Sequence, residues 1–310
     1  MKAELRKIFG STVTTHDLWS HNKKYLERAR SGELKQVKRG VWDLTGEDAP
    51  VVLNLQPVID AETIRQRFEV MGLLADGVAD KNIRSLIIAG APGVGKTFEL
   101  ERKLKHAERS GKITSMISMK GSISAFGVYE TLWNNREAGQ VILLDDIDAV
   151  FDNEEALNLL KAALDTGKRR NVSWQKASRL LQERDIPNSF DYCGQIVFIS
   201  NLDPDKIIAK GGRLAPHMAA LISRSVFLDL CIHDNESIMI RVEQVLTDST
   251  LAEDLNLNSD EVEDILDFMK SNVKRLRQLS IRTVLQLASF IKTTEDWQVI
   301  AEATMLRPAR

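Results

Sequence analysis

Residues Gly90-Ala91-Pro92-Gly93-Val94-Gly95-Lys96-Thr97 carry the spacing G-x-x-x-x-G-K-[ST], the Walker A pattern. Glycines let a backbone fold around an anion, so that successive N–H groups and the N-terminus of the following helix point at phosphate. Lys96 supplies a cation for the outer phosphates and Thr97 a hydroxyl for magnesium. The context fits the pattern. Ser85-Leu-Ile-Ile-Ala89 is an apolar run that reads as a buried strand, and Phe98-Glu-Leu-Glu-Arg-Lys-Leu104 reads as a helix. The expectation is a site for ATP or GTP with Mg2+.

A second run, Val141-Ile142-Leu143-Leu144, ends in the paired carboxylates Asp145 and Asp146. A buried parallel strand would deliver Asp145 to its carboxyl end, where open α/β sheets bind ligands. Asp145 is expected to hold magnesium and Asp146 to orient the attacking water. Asp148 is a further carboxylate within reach of the same loop, so the choice of base stays open.

Together these motifs resemble the AAA+ ATPases over roughly residues 60–305. Ile196-Val-Phe-Ile-Ser200-Asn201 is similar to the strand ending in that family's sensor 1 residue, which implies that Asn201 helps place the lytic water. Ala220-Leu-Ile-Ser-Arg224 resembles the arginine-finger segment. The implied task of Arg224 is to reach a nucleotide held by a neighbouring subunit, with Arg213 as a rival. Ser280-Ile-Arg282-Thr-Val-Leu resembles the sensor 2 helix of a lid, which implies that Arg282 contacts phosphate within the subunit. One departure stands out: the family's second acidic residue is usually glutamate, and residue 146 is aspartate. Slow hydrolysis or a switch-like role is therefore an alternative to a motor.

The resemblance implies a homo-oligomer, a ring or a short helix, that remodels a macromolecule. Two segments could face it. Lys168-Arg169-Arg170, followed by Trp174, is similar in spacing to the basic loop of superfamily 3 helicases and would bind nucleic-acid backbone. Ala125-Phe126-Gly127 is near where protein unfoldases grip polypeptide, although a helix cap by Ser122 or Ser124 explains the same residues. Nucleic acid is favoured, with protein remodelling as the alternative.

The elements needed to position these groups follow from periodicity. Strands are expected at 85–89, 113–118, 141–145, 196–200 and 225–230, with helices near 96–109, 124–137, 154–165 and 174–183. The fold class is therefore α/β, a parallel five-stranded sheet sandwiched by helices. Four helices follow, near 234–247, 259–270, 281–292 and 295–305. The domains read as a basic, aromatic and helical N-terminal extension over 1–55, with a helix from about Thr15 to Arg30; a nucleotide-binding domain over 56–232; and an all-α lid over 233–310.

The 310 residues are enough for such a core plus a small domain. A net charge of -2 gives no global pull toward nucleic acid or membrane. No apolar run of about 18 residues occurs, and Cys193 and Cys231 lack a C-x-x-C partner, so a reducing cytoplasmic location without membrane contact is expected. The scattered histidines suggest no metal other than Mg2+.

Overall fold

The computed structural model describes residues 60–145, 153–176, 178–212 and 215–308, together with Leu5, 12–14, 35–38 and 41–43. Two compact units result, Met1–Val58 and Ile59–Arg310. In the first, strands β1 (Thr12–Thr14), β2 (Lys35–Lys38) and β3 (Val41–Asp43) form an antiparallel sheet in the order β1-β3-β2. These strands were not expected. The helix expected over 15–30 lies outside the described residues.

The second unit begins with α1 (Ala61–Ala79). Asp60 caps it by accepting from the Thr63 N–H at 2.8 Å, and Ile64, Met71, Ala75 and Val78 are buried on one side. Then come β4 (Ser85–Ala89), α2 (Lys96–Arg109), β5 (Ser115–Lys120), α3 (Ala125–Asn134), β6 (Gln140–Asp145) and α4 (Glu154–Ala163). A hairpin of β7 (Asn171–Ser173) and β8 (Ser189–Asp191) encloses α5 (Arg179–Glu183). The chain continues through β9 (Gln195–Ser200), α6 (Pro204–Lys210), α7 (Ala215–Ile222) and β10 (Val226–Asp229). Five helices close it: α8 (Asn235–Asp248), α9 (Leu251–Asp254), α10 (Ser259–Ser271), α11 (Ile281–Ile291) and α12 (Trp297–Met305).

The main sheet is parallel throughout, in the order β10-β4-β9-β6-β5. Its inner strands carry continuous apolar runs, with polar residues only at their ends, because both faces are covered, and side chains alternate between the faces. Leu86, Ile88, Val141, Leu143, Val197 and Ile199 share one core with α1, α2 and the C-terminal helices. Ile87, Ile142, Leu144, Ile196 and Phe198 share the other with α3, α4 and the β7–β8 hairpin. The all-α segment thus packs into the core on one face of the sheet.

The β7–β8 hairpin and the helices α6, α7 and α9 had no expected counterpart, and two expected elements differ in their bounds for a visible reason. The strand expected over 113–118 runs over 115–120, because Ile113 is used in the turn, its N–H donating to the Ala107 carbonyl at 3.3 Å. The shift places Lys120 opposite Asp145 in the sheet register. The helix expected over 174–183 shrinks to α5, since Trp174 extends the hairpin instead, its N–H donating to the Asn188 carbonyl at 2.8 Å.

Candidate functional site

Three strands end side by side, with Ala89 of β4 opposite Ser200 of β9 and Asp145 of β6 opposite Ile199. The apolar runs bury the strands, so the first polar groups beyond them collect at one edge of the sheet. There the Gly90–Lys96 loop turns into α2. Gly93 (φ 73°) and Gly95 (φ 94°) lie in the left-handed region, and Gly95 caps α2. The free N–H groups and dipole of this 14-residue helix favour an anion at its start.

Lys96 is 4% exposed, and its Nζ donates to the carbonyls of Gly90 (2.8 Å) and Ala91 (2.7 Å) and to Oδ1 of Asn201 (2.9 Å). Thr97 Oγ1 donates to both carboxylate oxygens of Asp145 at 3.1 Å. A hydroxyl beside a carboxylate is a pair of hard oxygen donors, the kind Mg2+ selects, and the pair leaves room for phosphate oxygens and water. Lys120 Nζ stands 3.2 Å from Asp145 Oδ2 and 3.5 Å from Glu101. Burial works against its ammonium, but the carboxylates of Asp145 and Glu101 together outweigh burial and hold the Lys120 pKa above the ordinary lysine value.

Beside these groups opens a cavity of about 720 Å³, walled by the loop, α2, α8, α9 and α11. That volume suits a small-molecule ligand. Its far wall contains Val245, Leu251, Ile281 and Leu285, and Arg282 projects from α11 into the same lining. The helical segment is fastened to the loop. The Ile281 N–H donates to the Gly93 carbonyl at 2.8 Å, and a Cβ on Gly93 would lie 2.6 Å from the Ser280 side chain. The Ala91 N–H donates to the Ile232 carbonyl, also at 2.8 Å.

The motif residues 90–97, Asp145, Asn201 and Arg282 therefore line or approach one cleft. Arg224 does not. It precedes β10 at the amino ends of the strands, next to Ser225, whose Oγ is 2.7 Å from that of Ser85; its own Nη1 donates to the Ala220 carbonyl at 2.8 Å. Asp146, Asp148 and Arg213 lie outside the described residues.

The basic triplet requires a correction. Arg170 is 6% exposed, donates to the carbonyls of Ala163 (3.1 Å) and Gly194 (3.0 Å), and lies against the Tyr192 ring. It is structural, and only Lys168 and Arg169 face solvent. Arg169 is itself engaged by Asp191, through Nε at 3.0 Å. Trp174 packs against Tyr129 and meets Phe126 edge-on, so it is part of the core rather than a stacking platform. Phe126 is held by the same contact and by Arg184 over its ring. Ser124 accepts from the Gly127 N–H at 3.1 Å, the helix cap anticipated as an alternative.

Two cations at the site were not singled out from sequence. Lys120 required the true strand ends. Arg241 had a signal that was passed over: it shares a helix side with the buried Ile238 and Val242, an unusual place for an arginine.

No protein-family model matches the chain. It is 46% identical over 275 residues to the uncharacterized 36.7 kDa protein of the nrdC-mobD intergenic region of Enterobacteria phage T4, a match spanning 87% of this chain and 84% of that protein. Among solved structures, AMPPCP-bound DnaA from Aquifex aeolicus aligns at a TM-score of 0.48 with 17% identity, over 79% of this chain and 67% of that one. Caenorhabditis elegans PCH-2 aligns at 0.40 with 13% identity, over 78% and 69%. These structural likenesses are too distant to assign chemistry, which rests on the side chains described above.

Proposed function

The chain belongs to the same family as the 36.7 kDa phage T4 protein, and from the site's geometry we propose that it is an ATP hydrolase of the AAA+ type. The observation that carries this reading is the meeting of Lys96, Thr97, Asp145 and Asn201 within hydrogen-bond distance at the carboxyl edge of a parallel sheet. The loop N–H groups and Lys96 bind the phosphates. Thr97 and Asp145 hold Mg2+, which neutralises charge on the phosphate oxygens when bound. Asp146 orients the water, Asn201 helps to place it, and residues 233–310 act as a lid carrying Arg282.

Arg224 serves a neighbouring subunit. The four residues of β10 separate it from the cleft edge, roughly 13 Å at about 3.3 Å per residue, too far for a guanidinium to reach its own nucleotide. This supports hydrolysis at the interfaces of a homo-oligomer. The expected result is that Arg224→Ala binds ATP normally but loses turnover, and that mixing it with Lys96→Ala restores part of it. Monomers alone in ATP-containing light scattering, with turnover intact in Arg224→Ala, would defeat the oligomer.

The nucleotide reading is tested by calorimetry with MgATP. Wild type should bind and Lys96→Ala should not; equal uptake by both would defeat the proposal. The macromolecule remodelled is nucleic acid on this reading, supported by exposed Lys168 and Arg169 where the β7–β8 hairpin begins. It requires ATP turnover to rise, in a salt-sensitive way, on adding DNA or RNA. Stimulation by protein alone would redirect it to protein remodelling. Aspartate rather than glutamate at 146 supports a second reading, a slow nucleotide switch, which single-turnover hydrolysis faster than a few events per minute would exclude.

A further inference from the structure

Arg241 is a buried cation of the cleft that the reading above leaves without a task. It stands on α8, 9% exposed, with its guanidinium 3.5 Å above the Phe68 ring. Nε makes a long hydrogen bond, 3.4 Å, to the Val94 carbonyl, and Nη2 lies 4.0 Å from where a Cβ on Gly95 would be. Among the described residues no carboxylate comes within ion-pair distance of it; Glu99 and Asp248 act only from farther away. Burial pushes its pKa down to about 10. A buried cation without an ion-pair partner costs the chain stability. Stacking on Phe68 fixes the fork without neutralising it.

The side chain lines the same cavity as the phosphate loop. It meets the loop at Val94 and Gly95, the end nearer α2, whereas Lys96 Nζ and Asn201 meet at the Gly90–Ala91 end. We infer that Arg241 is a second phosphate-binding cation, presented by α8, for the part of the nucleotide that di- and triphosphates share. This rests on the nucleotide reading above and assigns a residue that reading does not use. The guanidinium gains its missing anion only when nucleotide is bound, so it ties α8 to occupancy of the cleft, whereas Arg282 from α11 answers to the terminal phosphate. A planar fork suits this task because it can bridge two phosphate oxygens.

The experiment is calorimetry with MgADP and MgATP on full-length wild type, Arg241→Met, Arg241→Lys and Lys96→Ala, with the nucleotide-free Tm of each. Methionine keeps an unbranched apolar stem over Phe68 and removes the charge. It should weaken ADP and ATP by similar factors, on the order of tenfold to a hundredfold for a lost charge-assisted contact, without lowering the nucleotide-free Tm. Arg241→Lys should bind better than Arg241→Met. If Arg241→Met fails to fold, melts lower, or binds ADP within twofold of wild type, the residue is structural and the inference is overturned. If wild type itself takes up no nucleotide and Lys96→Ala changes nothing, the nucleotide reading has failed, a result distinct from failure of Arg241 alone.

Discussion

Two segments, the phosphate loop at 90–97 and the basic triplet at 168–170, look similarly chemical in the sequence and end in opposite circumstances. In the loop, three glycines with positive φ and the start of α2 oblige the backbone to form a concavity, and Lys96 lies at its base beside Asn201. In the triplet nothing constrains the backbone to present its charges. Arg170 turns inward to satisfy two carbonyls, and Arg169 turns along the hairpin to Asp191. A pattern that includes its own backbone geometry predicts a site, whereas a run of like charges predicts only where cations are.

The contrast can be broken by mutation. Arg170→Ala should cost the most stability, about 2 kcal/mol or more, because it strips two buried carbonyls of their donor, partly offset by no longer burying a cation. Urea unfolding would measure it, and a neutral outcome would return Arg170 to the surface. Lys96→Ala should lower ATP turnover by on the order of a hundredfold or more in steady-state assays; Lys168→Ala should leave basal turnover within twofold. Equal losses in both would erase the distinction between the two segments.

Gly93→Ala sharpens the loop side. A left-handed φ and a side chain driven to 2.6 Å from Ser280 should cost about 1 to 3 kcal/mol and loosen α11 from the loop. Hydrogen exchange of the Ile281 amide, now bonded to the Gly93 carbonyl, should accelerate; unchanged exchange would show that α11 does not depend on Gly93.

The smallest effect concerns the exposed pair of Arg169 and Asp191. The Arg169 hydrogen bond, with help from Asn171, holds the Asp191 carboxyl below its ordinary value. A depressed carboxyl stabilises the fold above the unfolded-state value and loses that contribution as pH falls through the folded-state value. Wild type should therefore exceed Asp191→Asn slightly at neutral pH, and the two should converge in acid. A gap that persists in acid would mean that Asp191 acts through packing.

Much of the sheet was legible because strands buried on both faces need unbroken apolar runs, as in 86–89, 141–144 and 196–199. The edge strand β5, half exposed, carried a weaker signal, and its ends were read two residues early. The β7–β8 hairpin was missed because three-residue strands are too short to show a period. By itself the sequence determined the phosphate loop, the carboxylate that faces it and the succession of the five main-sheet strands, since these depend on local backbone freedom and on burial patterns. Only the tertiary structure decided which charges meet. Lys120 reaches Asp145 through sheet register, Arg170 is withdrawn into the core, and Arg241 crosses from α8 to the loop. Electrostatic partnership is a property of distance in space, and residues 147 apart in the chain acquire that distance only once the core has packed.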